Sequence, residues 1–330
     1  MRLLNVMVTV KLDEECLHQI ADLSPELRVT DVSGLIKAEC KGDFSSKDKL
    51  DVFLAKADII YGFTFPKNLV ARTPRLKWIQ STSAGVEHIL GHDLVQSPVQ
   101  VTSVSGIHAI PIGEFVITLM LMLAKQAPLC FELKKGRQWK EFPPVVLHSK
   151  TVGIVGLGSI GGEIARLSKA FSMKVIAIRR SIKKLASARN VDVLLPLEGL
   201  NQLLTQSDFI ILSLPLTNET HGLIGEKQLK IMKSSAYLIN VSRGAIIDEQ
   251  ALIEALENNQ IAGAGLDVFV TEPLPAESKL WQLRNVIITS HISGVMTDYL
   301  TKTTIVFCEN LRRYLAGQKL LNIVDKKAGY

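Results

Sequence analysis

Residues 156–161 read Gly156-Leu157-Gly158-Ser159-Ile160-Gly161, directly after the apolar run Thr151–Val155 and at the opening of a helical pattern over 160–171. A G-x-G-x-x-G in this strand–turn–helix setting restricts the fold more than any other feature of the chain. The first glycine permits a tight turn, and the second lets backbone N–H groups approach a pyrophosphate. The third allows the helix to pack closely on the strand, and the helix N-terminus adds positive potential. Gly156, Gly158, Ser159, Ile160 and Gly161 are therefore expected to hold a dinucleotide, and the chain to build a parallel sheet around them.

The flanking pattern agrees. Strands are expected at 151–155, 174–178, 209–214, 236–241, 263–269 and 286–289, with helical patterns between most of them, as at 160–171, 225–231 and 249–258. Six such strands make a doubly wound sheet. The first hundred residues alternate in the same way, with apolar runs at 4–10, 59–62 and 77–81 and a helical pattern at 14–22, which predicts a second α/β unit. At 330 residues the chain has room for two domains. Between the units, 111–126 is a long helix, apolar on all sides, with Pro111 in its first turn. It should be buried between layers or at a subunit contact. The stretch 136–149 reads as an irregular connection, and 297–315 as a helix.

Composition excludes several classes. Hydrophobic residues make up 47% and charged residues 21%, well away from disorder. Lysine and arginine exceed the acids by six, but they are scattered, with Lys134-Lys135-Gly136-Arg137 the densest patch, so no nucleic-acid partner is expected. Cys16, Cys40, Cys130 and Cys308 form no C-x-x-C pair and have no histidine at metal spacing. They are expected as buried thiols in a reducing compartment, with no metal bound. Met1-Arg2-Leu3-Leu4 reads as the start of a strand rather than a signal peptide. The longest apolar stretch, 115–124, is too short for a bilayer. A cytoplasmic location with no membrane partner is the expectation.

The end of the second nucleotide-domain strand bears on the cofactor. NAD sites usually place an acid there for the ribose hydroxyls, but here the chain reads Ile178-Arg179-Arg180-Ser181. Two guanidiniums and a hydroxyl suit a 2′-phosphate, so NADP is preferred and NAD remains possible.

Three further segments follow expected strands: Asn240-Val241-Ser242-Arg243-Gly244, then 265–273 with Asp267 and Glu272, then Thr289-Ser290-His291-Ile292-Ser293-Gly294. They bring an arginine, a carboxylate and a histidine to the carboxyl edge of one sheet, where open α/β folds bind ligands. With Ser81-Thr82-Ser83-Ala84-Gly85-Val86-Glu87, the segment 106–115, Ser213-Leu214-Pro215-Leu216-Thr217 and Asn310-Leu311-Arg312-Arg313-Tyr314, the chain resembles the D-isomer-specific 2-hydroxyacid dehydrogenase family from about Lys77 onward. Two departures stand out. Ser290 and Ser293 replace the family's usual proline and alanine around the histidine, and Phe115 stands where many members carry histidine.

The resemblance implies two Rossmann-like α/β domains. A dinucleotide-binding domain (103–295) is inserted into a flavodoxin-like substrate domain (1–102 and 296–330), with the long helix as connector and hinge and the active site between the two. It implies a homodimer joined through the nucleotide domains. It implies a catalytic trio of Arg243, Glu272 and His291. His291 would exchange a proton with the substrate oxygen, Glu272 would orient the ring and favour its charged form, and Arg243 would grip the carboxylate. Ser83, Ala84 and Gly85 would complete that grip. Around the cofactor it implies Ser159 and Ile160 at the pyrophosphate, Arg179, Arg180 and Ser181 at the adenosine ribose, and Leu214, Pro215 and Thr220 beside adenine. Val241 and Asp267 would lie near the nicotinamide, Asp267 holding the carboxamide unless it merely caps the next turn, and Ser242 and Gly294 would also contact the cofactor. His88, His92, His108, His148 and His221 match no catalytic position. The expected activity is NAD(P)-linked reduction of a small 2-oxo acid to a D-2-hydroxy acid. A formate dehydrogenase is disfavoured, since Glu272 stands where those enzymes carry glutamine. A dinucleotide-sensing corepressor on the same fold is the alternative.

Overall fold

The computed structural model describes residues 3–86 and 88–327. Glu87, at the end of the substrate-loop match, lies outside the described residues, as do Met1, Arg2 and the last three residues. Contacts divide the chain into two units, one running to Ile107 and resuming at Met296, the other spanning His108–Val295. The division falls after Ile107 rather than at Ser103. Ser103 N–H donates to Asn322 O and Val104 N–H to Ser83 O, which ties this stretch to the first unit.

The first unit carries β1 (Leu4–Val8), β2 (Leu27–Asp31), β3 (Ile59–Gly62), β4 (Trp78–Ser81) and β5 (Gln100–Thr102) in the order β2-β1-β3-β4-β5, all parallel. This is the flavodoxin-like order. β2 and β5 were not legible as strands, because one is a half-buried edge and the other only three residues long.

The second unit holds β6 (Thr151–Val155), β7 (Lys174–Ile178), β8 (Ala186–Ala188), β9 (Val191–Leu195), β10 (Phe209–Leu212), β11 (Tyr237–Asn240), β12 (Gly263–Leu266) and β13 (Val286–Ile288). Their order is β13-β12-β11-β10-β6-β7-β9-β8. Eight strands stand where six were expected. The additions are β9, parallel to β7, and the short antiparallel edge strand β8. The central strands read as unbroken apolar runs because helices cover both faces of a parallel sheet. Helix Ser159–Ala170 buries Gly161, Ile164, Ala165 and Ser168, the i, i+3, i+4, i+7 stripe of a helix lying on a sheet. From β6 the chain winds out through β7 to β9 and returns beside β6 as β10. The crevice where binding is expected therefore opens between β6 and β10.

The long apolar helix is Ala109–Ala124. It buries Ile112, Gly113, Val116, Ile117, Leu119, Met120, Leu123 and Ala124 against helix Ser159–Ala170, β11 and β12, while Ile110 stays exposed. Gly113 is required at the crossing, since a Cβ there would meet Glu163 Cγ at 2.8 Å. The next helix, Ala127–Lys135, buries none of its residues, and Trp139 beyond it is 97% exposed. One expectation fails: Cys16 and Cys308 are buried, but Cys40 and Cys130 are exposed. Among the described residues no single helix is long and apolar enough to cross a membrane.

Candidate active site

Arg243, Glu272 and His291 follow β11, β12 and β13 at the carboxyl edge of the second sheet, and side chains at the strand ends shape the loops that carry them. Asn240, fully buried, accepts from the Ser242 N–H (3.1 Å) and hydroxyl (2.8 Å) through Oδ1, and donates through Nδ2 to Arg243 O at 2.9 Å. This fixes the Arg243 backbone in an extended conformation (φ −143°), with its Nη1 donating to Ser242 O at 2.8 Å. The sequence marks Asn240 only as a member of its motif; the signal for its role is an Asx side chain at a strand end, able to fold back on residues two and three positions ahead. Gly244 meets the Glu272 loop directly, since a Cβ there would stand 1.9 Å from Phe269 C. No side chain fits without driving the two loops apart.

Glu272 accepts the Phe269 N–H on Oε1 at 3.0 Å, which leaves Oε2 2.8 Å from His291 Nδ1. The two side chains retain 37% and 48% of their exposure. A contact so open to solvent adds little stability, and its physical effect is to orient the ring. His291 itself has φ +56°, a left-handed conformation that costs a side-chain-bearing residue about 1–2 kcal/mol.

Asp267 offsets that cost. It is completely buried. Its Oδ1 accepts the Thr289 hydroxyl (2.6 Å) and the Ile292 N–H (2.9 Å), its Oδ2 accepts the Ser293 N–H (3.0 Å), and its carbonyl accepts the His291 N–H (2.8 Å). The turn-capping reading of Asp267 thus describes these contacts. Ser293, part of the first departure, donates to Oδ2 through its backbone N–H, a bond that alanine would keep. Gly294 lies over His108, where a Cβ would approach the ring to 2.9 Å. Burial pushes the His108 pKa down, so a neutral ring supports the loop from below.

The glycine-rich turn carries out the steric roles its spacing implied. Gly156 has φ +106°, and a Cβ there would meet Ser213 O at 2.6 Å; a Cβ on Gly161 would meet Gly156 O at 2.2 Å. Gly158, the N-cap of helix Ser159–Ala170, faces open space, which leaves the first-turn amides of Ser159 and Ile160 approachable by an anion. The residues present fit a dinucleotide pyrophosphate. Arg179, Arg180 and Ser181 follow β7 and are exposed. A hollow of about 420 Å³ is lined by Arg180, Ile182, Lys183, Leu197 and Glu198. Arg180 and Lys183 line it, and Arg179 is not among its lining residues. Leu214 and Pro215 follow β10. Thr220 closes its own loop, donating to Pro215 O (2.8 Å) and accepting the Thr217 N–H (2.7 Å). Val241 and Ser242 are buried. Ser83, Ala84 and Gly85 belong to the first unit, in the loop after β4.

The fold and loop geometry are those of a dinucleotide-binding domain with a carboxylate–imidazole pair at its sheet edge. The family model described as D-isomer specific 2-hydroxyacid dehydrogenase, NAD binding domain, matches residues 117–293. Glyoxylate reductase of Thermococcus litoralis is 36% identical over 273 residues, covering 79% of this chain and 80% of its own. A D-isomer specific 2-hydroxyacid dehydrogenase from Xanthobacter autotrophicus, solved with NADPH and MES, superposes with a TM-score of 0.83 at 29% identity over 100% of both chains. The NADPH-dependent glyoxylate/hydroxypyruvate reductase of Sinorhizobium meliloti, solved with NADP and sulfate, gives 0.82 at 27% identity, covering 99% of this chain and 100% of that one. The chain belongs to the D-isomer specific 2-hydroxyacid dehydrogenase family and is an NAD(P)-dependent enzyme of that class.

Proposed function

We propose that this enzyme reduces small 2-oxo acids such as glyoxylate or hydroxypyruvate to the corresponding D-2-hydroxy acids, with NADPH preferred and as a homodimer. The observation that carries the reading is the Glu272–His291 pair at 2.8 Å, on a loop locked by Asp267 and beside the Arg243 loop. The Gly156–Gly161 turn and Arg180 would hold a dinucleotide, which when bound would supply hydride to the carbonyl carbon. The chain's own groups do the rest. With Nδ1 held by Glu272, His291 presents Nε2 and delivers a proton to the oxygen that gains charge. Arg243 offers a planar fork that binds the carboxylate and polarises the carbonyl. The Ala84 and Gly85 N–H groups add donors to the carboxylate. The test is a panel of 2-oxo acids assayed with both cofactors. Steady turnover of glyoxylate or hydroxypyruvate supports the reading, whereas tight dinucleotide binding with no turnover would favour a sensing protein.

The cofactor preference rests on Arg180 and Lys183 at the hollow beyond β7. A 2′-phosphate gains charge-assisted bonds there that a hydroxyl cannot match, although solvent screens them. NADPH is expected to be favoured by roughly 5- to 50-fold in kcat/KM. Arg180→Asp should reverse the order, by repelling phosphate and accepting from the ribose hydroxyls. Equal efficiency with NADH in the wild type would sink the preference.

The dimer reading is supported by helix Ala127–Lys135, none of whose residues is fully buried, and by the nearly bare Trp139. Large exposed aromatics of this kind mark protein contacts. Sedimentation at micromolar concentration should give a dimer, and Trp139→Glu should shift it toward monomer. A monomeric wild type would overturn this part of the proposal.

A further inference from the structure

We infer that Tyr299 is a positioning residue that sets the carboxylate-binding loop of the first unit; the inference rests on the reading above. Tyr299 opens helix Tyr299–Leu315, and its hydroxyl donates to Thr82 O at 2.5 Å, across 217 residues of sequence. Burial raises its pKa above the ordinary phenol value, so at neutral pH the hydroxyl keeps the proton this bond needs.

What the bond controls follows from peptide planarity, because the C=O and N–H of one peptide unit point in opposite directions. The Thr82–Ser83 unit is held at both ends: its carbonyl by Tyr299, and its N–H by Ser81 Oγ at 3.0 Å. The Ser83 carbonyl in turn accepts the Val104 N–H at 3.3 Å. That aims the next N–H, on Ala84, away from Val104. Two successive peptide planes are thus set before the chain reaches Ala84 and Gly85. The Val104 and Ser81 contacts come from the loop's own surroundings. The Tyr299 bond ties it to a helix from the far end of the chain.

A substrate carboxylate is present in the ground state and in the transition state alike. Donors that grip it contribute uniform binding, and losing their alignment raises KM without lowering kcat. Tyr299→Phe keeps the ring and its packing and removes only the hydroxyl. The expected result is a rise of roughly three- to tenfold in KM for the 2-oxo acid, the loss of about one hydrogen bond's worth of alignment. The inhibition constant of oxamate, a non-reacting carboxylate, should rise by the same factor. Turnover number and dinucleotide dissociation constant should stay near wild type, and the melting temperature should fall by no more than a few degrees. An unchanged KM and oxamate constant would overturn the inference, as would an equal loss of dinucleotide affinity, which would signal general damage. If the wild-type protein itself turns over no 2-oxo acid, the parent reading fails and this one falls with it. That outcome is distinguishable because it appears before any substitution is made.

Discussion

His291→Ala is expected to lower turnover by roughly 10²–10⁴ while leaving dinucleotide affinity unchanged. The range is the usual worth of a positioned acid–base group. The substitution leaves the loop's anchors in place, because His291 contributes only its backbone N–H to Asp267 and that bond survives in alanine. What alanine loses is the imidazole 2.8 Å from Glu272. The left-handed conformation at this position is strained for either residue, so stability should change little. Stopped-flow or steady-state rates with glyoxylate, together with dinucleotide titration of the same preparation, check the result. A pure variant with near-wild-type turnover would remove His291 from the mechanism.

Asp267→Asn is the second large effect expected. The two side chains have the same shape, but the amide puts an NH₂ where a carboxylate oxygen was. With its oxygen kept toward Thr289 and Ile292, the NH₂ confronts the Ser293 N–H at a distance built for donor and acceptor. Flipping the amide only moves the conflict to the Ile292 N–H, because the Thr289 hydroxyl can turn and accept. At a site with no solvent exposure the unsatisfied groups cost about 1–3 kcal/mol, which the loop can relieve only by moving. Any such movement displaces His291, and an error of about 1 Å at a reacting group costs roughly a hundredfold in rate. The expected outcome is a turnover number down by roughly 10² or more, with a measurably lower melting temperature. Wild-type rates in this variant would show that the loop is held by other means.

The pattern of gains and misses separates two kinds of information. Continuous apolar runs in a parallel sheet, the i, i+3, i+4, i+7 stripe of helix Ser159–Ala170, and glycines spaced for a tight turn and a close helix are all local. They are written in consecutive residues, and they led directly to the two α/β units and the dinucleotide loop. Arg243, Glu272 and His291 came as candidates only from the family resemblance that the order of motifs carries. Nothing local, however, distinguishes Asp267 from Glu272, two acids five residues apart in one segment. The structure turns Glu272 toward the imidazole, 19 residues on, and buries Asp267 under the backbone that carries it, 25 and 26 residues on. Tyr299 reaches Thr82 over a still longer separation. Edge strands β2 and β8, the exposure of Cys40 and Cys130, and the choice of Arg180 over Arg179 at the hollow were decided in the same way. Residue type and periodicity determine which face a segment buries. The partner that a buried polar group finds is set by which distant loops the sheet order brings to the same edge, and a chain read along its length carries no measure of that distance.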